Sequence, residues 1–124
     1  MRALLDTQVL LWWLADDERL PDGARETIGG AEDAIVSVAS AWEMSLKAQL
    51  GRLDFPDDLE AQLVRHQFSV LPVHLGHARR YRQLPLHHRD PFDRMLIAQA
   101  QVEELTVVSA NPVMARYQVD LVPL

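Results

Sequence analysis

Asp6, Glu43, Asp90 and Asp93 fall where this chain should pass from strand to helix. Asp6 ends the opening run Met1-Arg2-Ala3-Leu4-Leu5, Glu43 follows the apolar run Ala34–Val38, and Asp90 and Asp93 open the segment Pro91–Ala98. In open α/β sheets ligands bind beyond the carboxyl ends of the strands, so acids placed there from distant parts of the chain converge on one crevice. Convergent carboxylates suit a hard cation such as Mg²⁺ or Mn²⁺. The chain has no cysteine. That excludes disulfides, thiol catalysis and thiolate zinc sites, and it fits a reducing cytoplasm.

Each acid also has a local reading. Ser40-Ala41-Trp42-Glu43 fits a capping box, with Glu43 on the first turn of its helix. Asp90, Pro91 and Asp93 fit the N-cap, N1 and N3 positions of a starting helix. Asp6 can cap a helix too, but a carboxylate directly behind four largely apolar strand residues is a charge facing burial. Such a charge needs a partner, a metal or a proton.

The elements that must carry these acids follow from short apolar runs alternating with helical patterns, which predicts βα units and a parallel sheet. Strands are expected at Arg2–Leu5, Ala34–Ser37, Ser69–Pro72, Thr106–Ser109 and Asp120–Val122. Helices are expected at Thr7–Ala15, Asp22–Ile28, Ala41–Leu50, Asp57–His66, Leu75–Gln83 and Pro91–Glu103. Gly29-Gly30 ends the second helix and Gly51 is a C′ glycine for the third, whose fourfold repeat Trp42, Leu46, Leu50 reads as its apolar face. No repeat, low-complexity tract or linker interrupts the pattern, so residues 1–124 are expected to form one domain.

The formal net charge of −6 argues, taken alone, against a nucleic-acid partner. Its distribution qualifies that, because His74 to Arg94 holds five arginines (Arg79, Arg80, Arg82, Arg89, Arg94) and four histidines against only Asp90 and Asp93. No apolar run is long enough to span a bilayer and the N-terminus lacks signal-peptide features, so no membrane association is expected. His74 and His77 lie three residues apart and permit, without a third ligand, only a weak case for zinc. Lys47 lies four residues after Glu43, the spacing of a helix ion pair that orients the acid or does nothing measurable.

Four blocks across nearly the whole chain carry a family resemblance: Leu4-Leu5-Asp6-Thr7, the run from Ser37 to Met44 with Glu43, the signature from His88 to Ala100, and Val107-Val108-Ser109-Ala110-Asn111. In these the chain resembles the PIN-domain family, and within it the VapC-type toxins of bacterial toxin-antitoxin pairs. The third block is the specific one. The resemblance implies a three-layer α/β/α sandwich with a central, mainly parallel sheet, and an acidic pocket that binds Mg²⁺ or Mn²⁺ to hydrolyse RNA phosphodiesters.

Carried onto this chain, the resemblance makes Asp6, Glu43 and Asp93 the catalytic acids, with Asp90 as an accompanying metal-binding acid. Where many members have an Asp in a Thr/Ser-x-Asp motif, this chain reads Ser109-Ala110-Asn111. Ser109 and Asn111 are therefore auxiliary candidates, and the loss of one negative charge leaves open whether one metal or two is held. Asn111-Pro112 equally suits an N-cap followed by N1.

For a polyanionic substrate, Arg94, Arg89, Arg79, Arg80 and Arg82 are the expected RNA contacts. The resemblance also implies a homodimer and a cognate antitoxin that covers the groove. Trp12 and Trp13 cannot both face the core from one helix, so one is expected at the surface or at an interface. The alternative is a PIN-like interaction module without catalysis. A phosphotransfer receiver is disfavoured because no acid ends the strand at Ser69–Pro72, and a dinucleotide-binding domain because no glycine-rich loop follows the first strand.

Overall fold

The computed structural model describes residues 1–124, with the side chain of residue 123 set aside. Five strands, β1 (Arg2–Leu5), β2 (Asp33–Ser37), β3 (Ser69–Leu71), β4 (Thr106–Ser109) and β5 (Asp120–Pro123), form one sheet. The spatial order is β3-β2-β1-β4-β5 and every pairing is parallel. The chain builds outwards from β1 through β2 to β3, then returns to lay β4 on the other side of β1. That reversal puts a topological switch point between β1 and β4, where open parallel sheets open a crevice.

Six helices cover the sheet: α1 (Thr7–Leu14), α2 (Asp22–Gly29), α3 (Val38–Gln49), α4 (Leu59–Arg65), α5 (Leu75–Gln83) and α6 (Pro91–Glu103). The central strands β1, β2 and β4 carry near-continuous apolar runs because both of their faces are buried, whereas the edge strand β3 is largely exposed. On β1, Ala3 and Leu5 join Val9, Leu10, Ile28 and Met44 beneath the first four helices. Leu4, between them, turns to the opposite side with Ile35, Leu96 and Val107. This is the expected three-layer sandwich. Among the described residues no helix is long and apolar enough to cross a membrane.

The expected elements are present, with shifted ends at the caps. The third helix starts at Val38 rather than Ala41, because Ser37 is its N-cap and accepts from the Ala39 N–H. The capping-box reading of Ser40 and Glu43 is thereby overturned: Ser40 accepts a hydrogen bond from the Thr7 hydroxyl, and Glu43 lies a turn deeper in the helix. The apolar repeat on α3 is also reversed in direction. Trp42 (66% exposed) and Leu50 (57%) lie at the surface, while the helix buries Ala39, Ser40, Glu43 and Met44. Small residues let α3 approach the sheet and α1 closely, and the bulky stripe is left outside.

Gly51 ends α3 in a Schellman arrangement. Its N–H reaches the Ala48 carbonyl, the Arg52 N–H reaches the Lys47 carbonyl, and its φ is +72°. Space around its Cα is open, so a methyl group there meets no steric obstacle. Replacing it therefore tests backbone strain alone. Gly51→Ala is expected to lower the unfolding free energy by about 1 kcal/mol, measured by urea denaturation, with no change in the denaturant slope.

Candidate metal centre

Asp6 stands at the carboxyl end of the central strand, and its backbone N–H still bonds the Val108 carbonyl of β4 at 3.0 Å. The β1–β4 register pairs Leu5 with Val108, which brings Ser109 alongside Asp6. The Asp6 carboxylate is held on both oxygens. Oδ1 caps α1 by accepting from the Val9 N–H at 2.8 Å, and Oδ2 accepts from the Ser109 hydroxyl. Ser109 in turn accepts from the Asn111 N–H at 3.0 Å. Asn111 caps the short 3₁₀ turn Pro112–Arg116 through a bond from the Val113 N–H, as its Asn-Pro sequence suggests.

Glu43 reaches the same region from the second turn of α3. Its Oε2 accepts from Lys47 Nζ at 2.8 Å, while Oε1 is buried without a hydrogen-bond partner. From the other layer, Asp90 caps α6 by accepting from the Asp93 N–H at 2.9 Å. Asp93 lies on the first turn of α6, and its Oδ2 meets His88 Nε2 at 2.8 Å. For Asp6 and Asp90 the capping and site readings coexist, since each cap uses one oxygen and leaves another side of the carboxylate for the cleft.

One cleft of about 320 Å³ is lined by Asp6, Glu43, Asp90 and Asp93 together with Lys47 and Asn111. The expected convergence is therefore present, but only at the level of a shared cleft. Among the described residues, no three His, Asp or Glu side chains are gathered around one point in a way that could hold an ion. The local partners explain the spread: Lys47 takes Glu43, His88 takes Asp93, and Ser109 takes Asp6. Mutual repulsion between carboxylates acts in the same direction.

Electrostatically the cleft is short of positive charge. Burial pushes the Asp6 carboxyl up to about 6; the Ser109 and Val9 hydrogen bonds pull it down, and the charges of Asp93 and Glu43 raise it further. Burial also raises Asp93, opposed by the His88 hydrogen bond and reinforced by the charges of Asp90 and Glu43. The orphaned Glu43 Oε1 and these two reluctant carboxylates are what a divalent cation would satisfy. The oxygen-only donor set suits magnesium or manganese, and magnesium keeps several waters, so ligands need not all touch it directly. In donor chemistry the residues suit such an ion, while the resting positions of the side chains leave them spread around the cleft rather than gathered on one point.

None of the five arginines expected to contact RNA lines this cleft. Arg79, Arg82 and Arg89 are exposed and make no ion pair among the described residues. Arg80 is half-buried and donates to Gln101 at 2.6 Å, tying α5 to α6. Arg94 does not fit the role of an RNA contact. It is 5% exposed, its guanidinium donates to the Pro85 carbonyl at 2.9 Å and the Tyr117 hydroxyl at 3.2 Å, and it lies over the Tyr81 ring. Starting one residue after Asp93, its side chain points away from the cleft and braces the loop before α6.

His88, which opens the signature block, is Asp93's partner. Its place inside the signature block is the signal that pointed there. His77 is buried and donates or accepts at Glu103 (3.0 Å) while taking the His74 N–H, which leaves no zinc pair with His74. Thr7, which holds Ser40 at 3.0 Å and joins α1 to α3, had no sequence signal beyond its place after Asp6. Trp12 and Trp13 both pack partly against the core, Trp13 donating to His66 at 3.2 Å. The most exposed of the three tryptophans is Trp42.

Residues 3–119 match the PIN domain family model, and the chain belongs to that family. No curated protein matches it in sequence. Among solved structures, a chain of VapBC2 from Rickettsia felis bound to a DNA fragment from its promoter is similar over 100% of this chain and 99% of that one, with a TM-score of 0.74 at 14% identity. A chain of DNA-bound VapBC from Salmonella typhimurium covers 99% and 98%, with a TM-score of 0.74 at 17% identity. A chain of a toxin-antitoxin complex from Klebsiella pneumoniae covers 88% and 86%, with a TM-score of 0.62 at 19% identity. At these identities the likeness is one of fold.

Because the folded state raises the Asp6 pKa above its ordinary value, the native protein binds the proton more tightly than the unfolded chain does. Its contribution therefore favours folding at low pH and is lost as pH rises from about 4 through about 6. In metal-free buffer, Asp6→Asn is expected to flatten that decline in melting temperature and to exceed the parent's stability at pH 7 to ~8. Arg94→Met leaves buried carbonyls unpaired and should cost about 3 kcal/mol in urea unfolding. Arg79→Ala and Arg82→Ala should each stay within about 0.5 kcal/mol of the parent.

Proposed function

We propose that this protein is a VapC-type toxin: a metal-dependent endoribonuclease of the cytoplasm, neutralised by a cognate antitoxin. The observation that carries the reading is the cleft at the β1–β4 switch point, where four carboxylates from three separate parts of the chain line one crevice and one of them, Glu43, keeps a buried, unpartnered oxygen. The fold neighbours from toxin-antitoxin complexes support the same class.

Asp6, Glu43 and Asp93 would hold the ion, with Asp90 beside them. A bound Mg²⁺ or Mn²⁺ supplies positive charge to a phosphodiester oxygen and makes a water a better nucleophile at neutral pH. The protein's own contribution is to hold oxygens in place. Ser109 and the Val9 N–H fix both oxygens of Asp6, and His88 fixes one oxygen of Asp93. Asn111 places a neutral amide where a fifth carboxylate would stand, so a second ion would be held less strongly than the first.

The exposed Arg79, Arg82 and Arg89 offer positive charge to the RNA backbone outside the cleft. The apolar stripe of α3, extended by the edge contact of Trp42 with Phe92 at 5.0 Å, offers a surface for homodimer formation.

The test is cleavage of a mixed RNA pool with Mg²⁺, with Mn²⁺ and with EDTA. Discrete cuts are expected only with metal, and Asp6→Asn or Asp93→Asn should reduce them by on the order of 100-fold while leaving the protein folded. Cleavage that survives both substitutions, or none from the folded parent with either metal, would replace this reading with that of a non-catalytic interaction module.

A further inference from the structure

Lys47 is the one lysine of the chain and, among the described residues, the one cationic side chain lining the acid cleft. An ion pair spaced four residues apart on an exposed helix contributes little. This pair differs because its two ends sit in different surroundings. The Glu43 side chain is 6% exposed and the Lys47 side chain 48% exposed, with Nζ 2.8 Å from Oε2. The lysine thus reaches in from the rim on four flexible methylenes to a carboxylate that cannot move out to meet it.

The pairing is also incomplete. One ammonium covers Oε2 and leaves Oε1 buried and unpartnered in a cleft that holds three further carboxylates. A divalent cation taking up Oε1 would sit on the same carboxylate as the ammonium. Two like charges on one carboxylate, a few ångströms apart, repel, and the exposed, flexible one is the one that yields. Once displaced, it is left with the cleft's other carboxylates, themselves drawn to the ion, and with any anion that enters the mouth of the cleft.

We propose that Lys47 is a built-in counter-cation: it occupies Glu43 until a divalent ion binds, and is then released to the cleft mouth to take a phosphate of the substrate strand. The inference rests on the divalent-cation reading above. It makes Lys47 a substrate-binding residue whose resting position restrains metal loading, so that an incoming polyanion and the ion assist each other's binding.

Lys47→Met keeps the stem and removes the charge, and Lys47→Arg keeps the charge. With Mn²⁺ alone, in calorimetric titration of the RNA-free protein, Lys47→Met is expected to bind roughly tenfold tighter than the parent, and Lys47→Arg close to the parent. In Mn²⁺-dependent RNA cleavage, Lys47→Met should raise KM several-fold, and Lys47→Arg should restore it. Mn²⁺ binding to Lys47→Met that is equal to or weaker than the parent's would overturn the proposal while leaving the metal centre intact. Failure of both parent and Lys47→Met to bind Mn²⁺ would overturn the metal centre, and the counter-cation role with it.

Discussion

A carboxylate placed at the end of a strand buried on both faces is the constraint around which this molecule is arranged. Asp6 terminates β1, the central strand, where water has been excluded by two helical layers. It stays there because the β1–β4 register delivers the Ser109 hydroxyl to one oxygen and the start of α1 delivers the Val9 N–H to the other. The same carboxylate thus closes the sheet to α1, joins β1 to the end of β4 and fixes one wall of the cleft. Moving it would disturb structure and chemistry together.

The other acids follow the same logic with different partners. Asp90 serves as the cap that starts α6, and so sets where Asp93 projects on the next turn. His88 and Lys47 each take one oxygen of a cleft carboxylate, which holds the acids in place and also holds them apart. Four negative groups in a partly desolvated cleft cannot all be satisfied by one lysine and one histidine. Burial, with the neighbouring carboxylates adding to it, raises the proton affinities of Asp6 and Asp93, and one Glu43 oxygen is left without a partner.

Charge and apolar surface are distributed against simple expectation elsewhere. Arg94 belongs to a run rich in arginine, yet it turns inward, donating to the Pro85 and Tyr81 carbonyls and the Tyr117 hydroxyl and lying over the Tyr81 ring. Its neighbours on α5, Arg79 and Arg82, remain outside. On α3 the periodic stripe that resembles a core face is the outer one, since Thr7–Ser40 contact and the Glu43 position demand that the small and polar face pack inward. Hydrophobic periodicity marks a helix with one apolar side without saying which neighbour that side meets.

What the sequence by itself determined was local: the alternation of strands and helices, the caps at Asp6, Asp90, Asn111 and Gly51, and four acids set at strand-to-helix junctions. These were legible because capping, turn chemistry and side-chain periodicity act over a few residues. The tertiary structure decided the strand order, the bond between Asp6 and a serine 103 positions away, the pairing of His88 with Asp93, and the inward turn of Arg94. Each of those depends on sheet register and on how layers pack. Those are long-range choices made by burial and hydrogen-bond satisfaction of the whole chain, and no short stretch of residues encodes them.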